Sequence, residues 1–142
     1  MKVYLIAGEP SGDKLGAELM AGLSRCTSHK LEFCGVGGPL MEEQGLASLF
    51  PISDIAVMGI GEILAKYLFL KKRIKNTVDD IQRLRPDVLI TIDSPEFSLR
   101  VARMVRKKLF VNTIHYVAPT VWAWRPKRAK RMSGYVDHIL AL

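Results

Sequence analysis

The sequence predicts an α/β fold built on a parallel β-sheet. Short, almost continuously apolar runs alternate with longer segments whose apolar residues recur every three or four positions. The first pattern is typical of buried parallel strands and the second of amphipathic helices. Their alternation along the chain favours parallel strands joined by right-handed crossovers. Because 49% of the 142 residues are hydrophobic and 25% are charged, the chain can bury a core.

The first half of the chain predicts two strands and two helices. Residues 2–7 form the first apolar run, and helical spacing then continues to Arg25. A second strand is predicted at 31–34. The glycine-rich loop 35–38 follows it and leads to a short helix that begins at Pro39, a residue favoured at the first helical position.

The second half repeats this alternation. Residues 59–84 predict a long helix that ends at Arg85 and Pro86. The later segments are a strand at 87–92, a basic helix up to about 108, a strand at 111–115, an aromatic loop at 116–124, a basic helix at 127–133 and an apolar run at 138–142.

Charge is distributed unevenly along the chain. The total net charge is +7, with a net −4 in residues 1–65 and a net +11 in residues 66–142. We therefore expect the second half to meet an anionic partner. The apolar run at the start is too short for a signal peptide, and no segment has the length and hydropathy of a membrane-spanning helix. Cys26 and Cys34 lack metal-ligand spacing, so buried, reduced thiols in a cytoplasmic protein are expected.

Four loops lie where predicted strands end, which is where parallel α/β sheets bind ligands. They are residues 8–13, 35–39, 93–97 and 115–124. The first loop does not match the G-x-G-x-x-G fingerprint, and the chain has no phosphate loop. Its glycines can let a ligand approach the backbone, or they can serve a tight turn with Ser11 or Asp13 as a helix cap.

Asp93 is a candidate general base because it directly follows a predicted buried strand. Two interpretations remain open. Asp93 and Glu96 have the spacing of a capping box, which would make Asp93 structural. With Ser94 as the cap instead, the Asp93 carboxylate is free to face the cleft.

The aromatic loop offers further candidates. His115 lies at the end of its predicted strand and is either a satisfied buried residue or a site residue. Trp122 and Trp124 either pack inside the fold or form a wall for a sugar ring or an acyl chain.

The long helix carries more apolar surface than one buried face needs. Leu68, Phe69 and Leu70 widen that face, and lysines including Lys71 and Lys72 surround it. The helix therefore either lies on an anionic bilayer or belongs to the core with solvated lysines. The basic segment 125–131 leaves an alternative function open, a basic nucleic-acid-binding α/β module. A dinucleotide-dependent enzyme is a further alternative, against which the missing fingerprint counts.

Five segments, in order, resemble the lipid-A-disaccharide synthase family. They are residues 7–13 (AGEPSGD), 35–41 (GVGGPLM), 58–64 (MGIGEIL), 92–97 (IDSPEF) and 115–125 (HYVAPTVWAWR). The resemblance spans nearly the whole chain. Two departures are Ala118 and Glu96, where the family often has Ser and Asp.

The resemblance implies a Rossmann-like, acceptor-side domain at residues 1–142, from the N-terminal half of a GT-B glycosyltransferase. The C-terminal UDP-sugar-binding domain would be absent, so the chain alone is expected to be inactive. The implied reaction belongs to lipid A and lipopolysaccharide synthesis. It joins UDP-2,3-diacylglucosamine to 2,3-diacylglucosamine 1-phosphate, with release of UDP and with no metal or cofactor. The implied location is cytoplasmic, peripheral at the inner face of the inner membrane.

The resemblance also matches Asp93 to the family's catalytic base. We expect substrate contacts from the glycine loops and the aromatic loop, and membrane contacts from the long helix. The expected partners are the UDP-sugar donor, the acylated glucosamine phosphate acceptor and the missing domain, with no nucleic acid. The expected substrate-binding residues are Gly8, Glu9, Ser11, Gly12, Asp13, Gly37, Gly38, His115, Trp122 and Arg125. The expected membrane contacts are Leu68, Phe69, Leu70, Lys71 and Lys72.

Overall fold

A parallel sheet forms the centre of the molecule. The structure is a computed structural model that describes residues 1–56, 63–117, 130 and 132–141. Within these ranges six strands form one sheet in the order β3-β2-β1-β4-β5-β6, and every pair is parallel. They are β1 (Lys2–Ala7), β2 (Glu32–Val36), β3 (Ala47–Ser48), β4 (Val88–Ile92), β5 (Asn112–Tyr116) and β6 (His138–Leu140).

Helices cover both faces of the sheet, so the predicted Rossmann-like arrangement is confirmed. Side chains from α1 and α2, such as Met20 and Met41, pack with one core cluster on the first face. Side chains from α4 and α5, such as Val78 and Val101, pack with a second cluster on the other face. The helices are α1 (Pro10–Cys26), α2 (Pro39–Glu43), α3 (Ser53–Ala56), α4 (Ile63–Leu84) and α5 (Pro95–Arg106).

The strand order reverses between β1 and β4. From β1 the chain moves through β2 to β3 on one side, whereas β4, β5 and β6 extend on the other side. Ala7 pairs with Ile92 at the carboxyl ends of the two central strands. The loops that begin at Gly8 and Asp93 are therefore neighbours, at the position where open α/β sheets form a ligand crevice.

Several sequence predictions differ from the structure. β3 and α3 were not predicted, because two and four residues are too few to show a period. Cys26 is exposed at the end of α1, so its predicted burial is wrong. Cys34 is half-buried, and burial raises the pKa of its thiol to about 11. The apolar run at the end forms a short strand whose residues are exposed.

Other predictions fall outside the described residues. Most of the aromatic loop, residues 125–129 of the basic segment and most of the motif at 58–64 belong to this group. In the part of the chain that the structure describes, no helix is long and apolar enough to cross a membrane.

Candidate functional site

The loops after β1, β4 and β5 meet at the carboxyl edge of the sheet. Gly8 follows β1 directly and is buried against the turn after β4. A Cβ atom at Gly8 would lie 2.4 Å from Ser94 Oγ, so only glycine allows this close approach. Asp93 in turn donates its backbone N–H to the Tyr116 carbonyl oxygen at the end of β5, over 3.1 Å. The three loops therefore form one site around the Asp93 turn.

The Asp93 turn has an unusual backbone. Asp93 and Ser94 have φ angles of 47° and 42°, and Val117 on the neighbouring loop has a φ of 73°. Non-glycine residues in this left-handed region cost about 1–3 kcal/mol each, and such strain is concentrated at functional sites. The Ser98 hydroxyl stabilises the turn, since its Oγ lies 2.6 Å from the Asp93 carbonyl oxygen and 2.9 Å from that of Ser94.

This geometry leaves the Asp93 side chain free of a structural role in the helix. Ser94 is the N-cap residue of α5 and Pro95 opens its first turn, so Asp93 does not cap α5. The capping-box interpretation is therefore wrong. Ser94 is the N-cap residue, as the second interpretation predicted, although its side chain forms no capping hydrogen bond. The half-buried Asp93 carboxylate accepts no hydrogen bond from any residue that the structure describes.

His115 lies beside this turn as the cross-strand partner of Thr91. Its side chain is fully buried, and its Nδ1 atom lies 2.8 Å from the Thr91 Oγ1 atom. Burial lowers the pKa of the imidazole to about 4, and the nearby negative charge of Asp93 opposes part of this shift. The imidazole is therefore uncharged at neutral pH.

Asp13 connects the first two glycine loops. Its buried carboxylate accepts backbone N–H groups at the start of α2, from Gly38 at 2.9 Å and from Leu40 and Met41 at 3.1 Å. A Cβ atom at Gly38 would lie 2.6 Å from Asp13 Oδ2, so this contact requires glycine. Asp13 thus caps α2 from α1, as a carboxylate stabilises the orphan donors of a helix start.

The start of α1 differs from the prediction. Its N-cap residue is Glu9, which forms no side-chain capping bond, and Pro10 occupies the first turn. Capping of α1 by Ser11 or Asp13 is therefore wrong. Glu9 and Ser11 are exposed at the carboxyl edge.

The structure brings most of the expected substrate-binding residues to this edge. Gly8, Gly12, Gly37 and Gly38 are buried there, and Gly37 N–H donates to Ser48 Oγ over 3.1 Å. Trp122 and Arg125 lie outside the described residues. The sequence patterns did not point to Thr91 and Ser98, which orient His115 and the Asp93 turn. The positions of Thr91 two residues before Asp93 and of Ser98 four residues after Ser94 are signals that could have found them.

The first turns of α4 expose apolar and basic side chains together. Leu68 and Phe69 are 57% and 42% exposed, and Lys71 and Lys72 are exposed next to them. We call these four residues the α4 surface. Leu70 is half-buried and packs against the core.

A series of contacts connects the α4 surface to the site. The Arg73 guanidinium stacks on the rings of Phe69 and Phe50, 4.9 and 4.7 Å from their centroids, and pairs with Asp54. The next residue, Ile55, lies against Gly8. The α4 surface is therefore near the carboxyl edge that carries Asp93.

Metal-ligating side chains do not cluster in the described part of this edge. Among the described residues, no group of three or more His, Cys, Asp or Glu side chains could hold a metal ion.

Comparison with known proteins identifies relatives along almost the whole chain. The model of the family described as lipid-A-disaccharide synthetase matches residues 3–142. A lipid-A-disaccharide synthase from Ruegeria pomeroyi is 56% identical over 142 residues, which cover 100% of this chain and 35% of that protein. Another from Rhodospirillum centenum is 49% identical over 141 residues, or 99% of this chain and 35% of that protein. The chain thus spans about a third of the length of these curated relatives.

Solved structures show the same fold at low sequence identity. A UDP-GlcNAc 2-epimerase from Neisseria meningitidis, bound to UDP-GlcNAc, superposes with a TM-score of 0.62 at 13% identity. The match covers 99% of this chain and 40% of that one. A protein from Listeria monocytogenes, described as a putative UDP-N-acetylglucosamine 2-epimerase, gives the same TM-score and identity and is covered to 38%.

Proposed function

Because the chain belongs to the lipid-A-disaccharide synthetase family, we propose that it forms the N-terminal, acceptor-side domain of a GT-B glycosyltransferase. The whole enzyme joins UDP-2,3-diacylglucosamine to 2,3-diacylglucosamine 1-phosphate and releases UDP. The part of the relatives beyond the matched third supplies the UDP-sugar pocket. The nucleic-acid alternative has no observation of its own in its favour, since most of the basic segment 125–131 lies outside the described residues.

In this proposal Asp93 is the general base. Its carboxylate takes the proton of the acceptor 6-hydroxyl while that oxygen bonds to the anomeric carbon of the donor sugar. The bond between that carbon and UDP breaks, and UDP leaves with the electron pair. The observation that carries this role is the strained Asp93 turn, which holds a carboxylate without a hydrogen-bond partner among the described residues at the crevice.

The surrounding residues shape the cleft for the acceptor. Gly8, Gly12, Gly37 and Gly38 keep the backbone near the ligand space, and Glu9 and Ser11 offer polar groups at the rim. Asp13 acts indirectly, because its carboxylate oxygens already bind the start of α2. His115, Trp122 and Arg125 complete the proposed set from the loop after β5.

The base can be tested in a chimera that joins residues 1–142 to the remaining two thirds of the Ruegeria pomeroyi relative. We expect Asp93→Asn to lower kcat by at least 100-fold, the lower end of what a general base contributes. Asp79→Asn, the same change at an exposed position of α4, is the matched control and should keep full activity. Transfer by the Asp93 variant within twofold of the unsubstituted chimera would reject the role.

We further propose that the α4 surface docks to an anionic bilayer, at the cytoplasmic face of the inner membrane. Exposed Leu68 and Phe69 would enter the boundary between headgroups and acyl chains, while Lys71 and Lys72 would contact lipid phosphates. Leu70 supports this surface from its half-buried position. A bilayer fits this surface better than a protein partner. The lysines are complementary to the lipid phosphates, and the apolar side chains directly beside them match the acyl chains.

Flotation of the chimera with anionic vesicles tests docking. Each lysine near such a surface contributes about 1 kcal/mol, so Lys71→Gln with Lys72→Gln should lower vesicle affinity roughly tenfold or more. Lys107→Gln with Lys108→Gln removes the same charge from exposed positions after α5 and is the matched control. Leu68→Ser with Phe69→Ser should also reduce recovery. Unchanged recovery of both α4 double variants would remove the membrane contact.

A further inference from the structure

His115 has a buried nitrogen that the fold leaves unused. The side chain is fully buried, and among the described residues its Nε2 atom has no hydrogen-bond partner. Buried polar atoms in native proteins are nearly always paired, so an orphaned one requires an explanation. Packing alone does not supply it, because a phenylalanine would fill similar space without an unpaired nitrogen.

The hydrogen bonds of Thr91 favour a proton on one nitrogen of His115 over the other. The Thr91 hydroxyl donates to the Ile114 carbonyl oxygen over 3.3 Å, which uses its only hydrogen. Its lone pairs therefore face His115 Nδ1, 2.8 Å away. An acceptor on the Thr91 backbone also favours a proton on this ring. We therefore assign the proton to Nδ1, which leaves a bare lone pair on Nε2.

The charged neighbour of the imidazole is Asp93, which follows β4 two residues after Thr91 and bonds the residue after His115 through its backbone N–H. The other titratable groups on α5 are Glu96 and Arg100, which form an ion pair, and Arg103 and Arg106. Tyr116 of β5 and His138 of β6 complete the set on the adjacent strands. Asp93 is the group whose charge acts on His115. A lone pair repels a carboxylate but accepts a hydrogen bond from a carboxylic acid. The imidazole is therefore complementary to Asp93 only after Asp93 has gained a proton.

We propose that His115 is a positioning residue whose Nε2 accepts a hydrogen bond from the Asp93 carboxyl group once that group has taken the proton of the acceptor hydroxyl. This inference rests on the proposed base. The acceptor O–H bond breaks, the proton binds an Asp93 carboxylate oxygen, and the new O–H group donates to His115 Nε2. His115 thereby stabilises the state that the base reaches during transfer, while Thr91 fixes the imidazole from the other side.

Two substitutions in the chimera separate the two nitrogens of His115. His115→Asn keeps an N–H group near Nδ1 for Thr91 and removes the acceptor, whereas His115→Gln can place an acceptor near Nε2. We expect His115→Asn to lower kcat at least tenfold with KM within threefold, and His115→Gln to restore most of the loss.

Three results would overturn the inference. The first is a kcat of His115→Asn within twofold of the unsubstituted chimera. The second is an equal loss of kcat in both variants. The third is a proton on Nε2 in ¹⁵N-histidine spectra of the unsubstituted chimera. The spectra require no variant to be active, so a folding defect leaves the inference testable. If the Asp93→Asn chimera is active, the proposed base itself is rejected. If the Asp93→Asn chimera is inactive and the His115→Asn chimera is fully active, only the inference about His115 is rejected.

Discussion

Burial of the His115 imidazole links the stability of the chain to pH. The pKa of this group falls from 6.5 to about 4 in the folded chain, because burial disfavours the charged form. Between these values the unfolded chain binds a proton that the folded chain does not bind. Stability is therefore complete above pH 6.5 and is lost as pH falls toward 4, by at most about 1.4 kcal/mol per pH unit.

Thermal unfolding of the chain between pH 7 and pH 4 measures this effect. His115→Asn removes the titrating group and should flatten this part of the stability curve. A slope equal to that of the unsubstituted chain would contradict the prediction.

Two residues show what the sequence could predict about the site. The position of Asp93 followed from the end of an apolar strand and the start of a helix, both of which are local patterns. Its left-handed backbone could not be predicted, because contacts with Tyr116 and Ser98 stabilise it in the folded chain. The hydrogen-bond partners of Asp13 could not be predicted either, because they also depend on tertiary contacts. Gly38, for example, lies 25 residues away along the chain.

The contact between α1 and α2 depends on the Asp13 carboxylate. Asp13→Asn keeps one carbonyl oxygen but removes the charge and places an NH₂ group against a backbone N–H of α2. Hydrogen bonds to charged groups contribute about 1.5–3 kcal/mol. We therefore expect the melting temperature of the chain to fall by roughly 5–10 °C.

Circular dichroism of the chain on heating measures this change. Glu18→Gln, at an exposed position of the same helix, removes one negative charge without touching α2 and should leave the melting temperature unchanged. Equal melting temperatures for the two variants would show that Asp13 does not stabilise the contact.

At the level of elements, length decided what the sequence could predict. The pattern of α4 is long enough to show its period clearly, and the apolar runs of β1 and β4 are nearly continuous. β3 and α3 are too short for a period and form only because neighbouring elements pack around them. The second strand extends beyond its predicted end because residues 35 and 36 continue the ladder with β1.

The fold neutralises part of the positive charge that the sequence shows in the second half of the chain. Several arginines form ion pairs within the fold, including Arg73 with Asp54, Arg100 with Glu96 and Arg106 with Asp137. The net charge of the sequence includes these arginines as if they were available to a partner, although carboxylates within the fold already pair with them. The exposed lysines of the α4 surface keep their charge for a partner.

The whole molecule corresponds to 35% of the length of its Ruegeria pomeroyi relative. Under the proposed function this third carries the base but lacks the UDP-sugar pocket. We expect the chain alone to release no UDP from UDP-2,3-diacylglucosamine and the acceptor, whereas the chimera releases it. A coupled assay for UDP compares the two proteins at equal concentration. UDP formation by the chain alone, abolished by Asp93→Asn, would contradict the prediction.

The series of contacts between the α4 surface and the Asp93 turn changes how an enzyme of this kind would find its substrates. Phe69, Arg73 and Asp54 connect the α4 surface to Ile55, which lies against Gly8 beside the turn. With the α4 surface docked as proposed, the cleft opens near the plane in which acylated sugars diffuse. The search for substrate then takes place in two dimensions. Its rate depends on the number of substrate molecules per unit area of bilayer, so dilution with inert lipid slows the reaction even when the bulk concentrations stay constant.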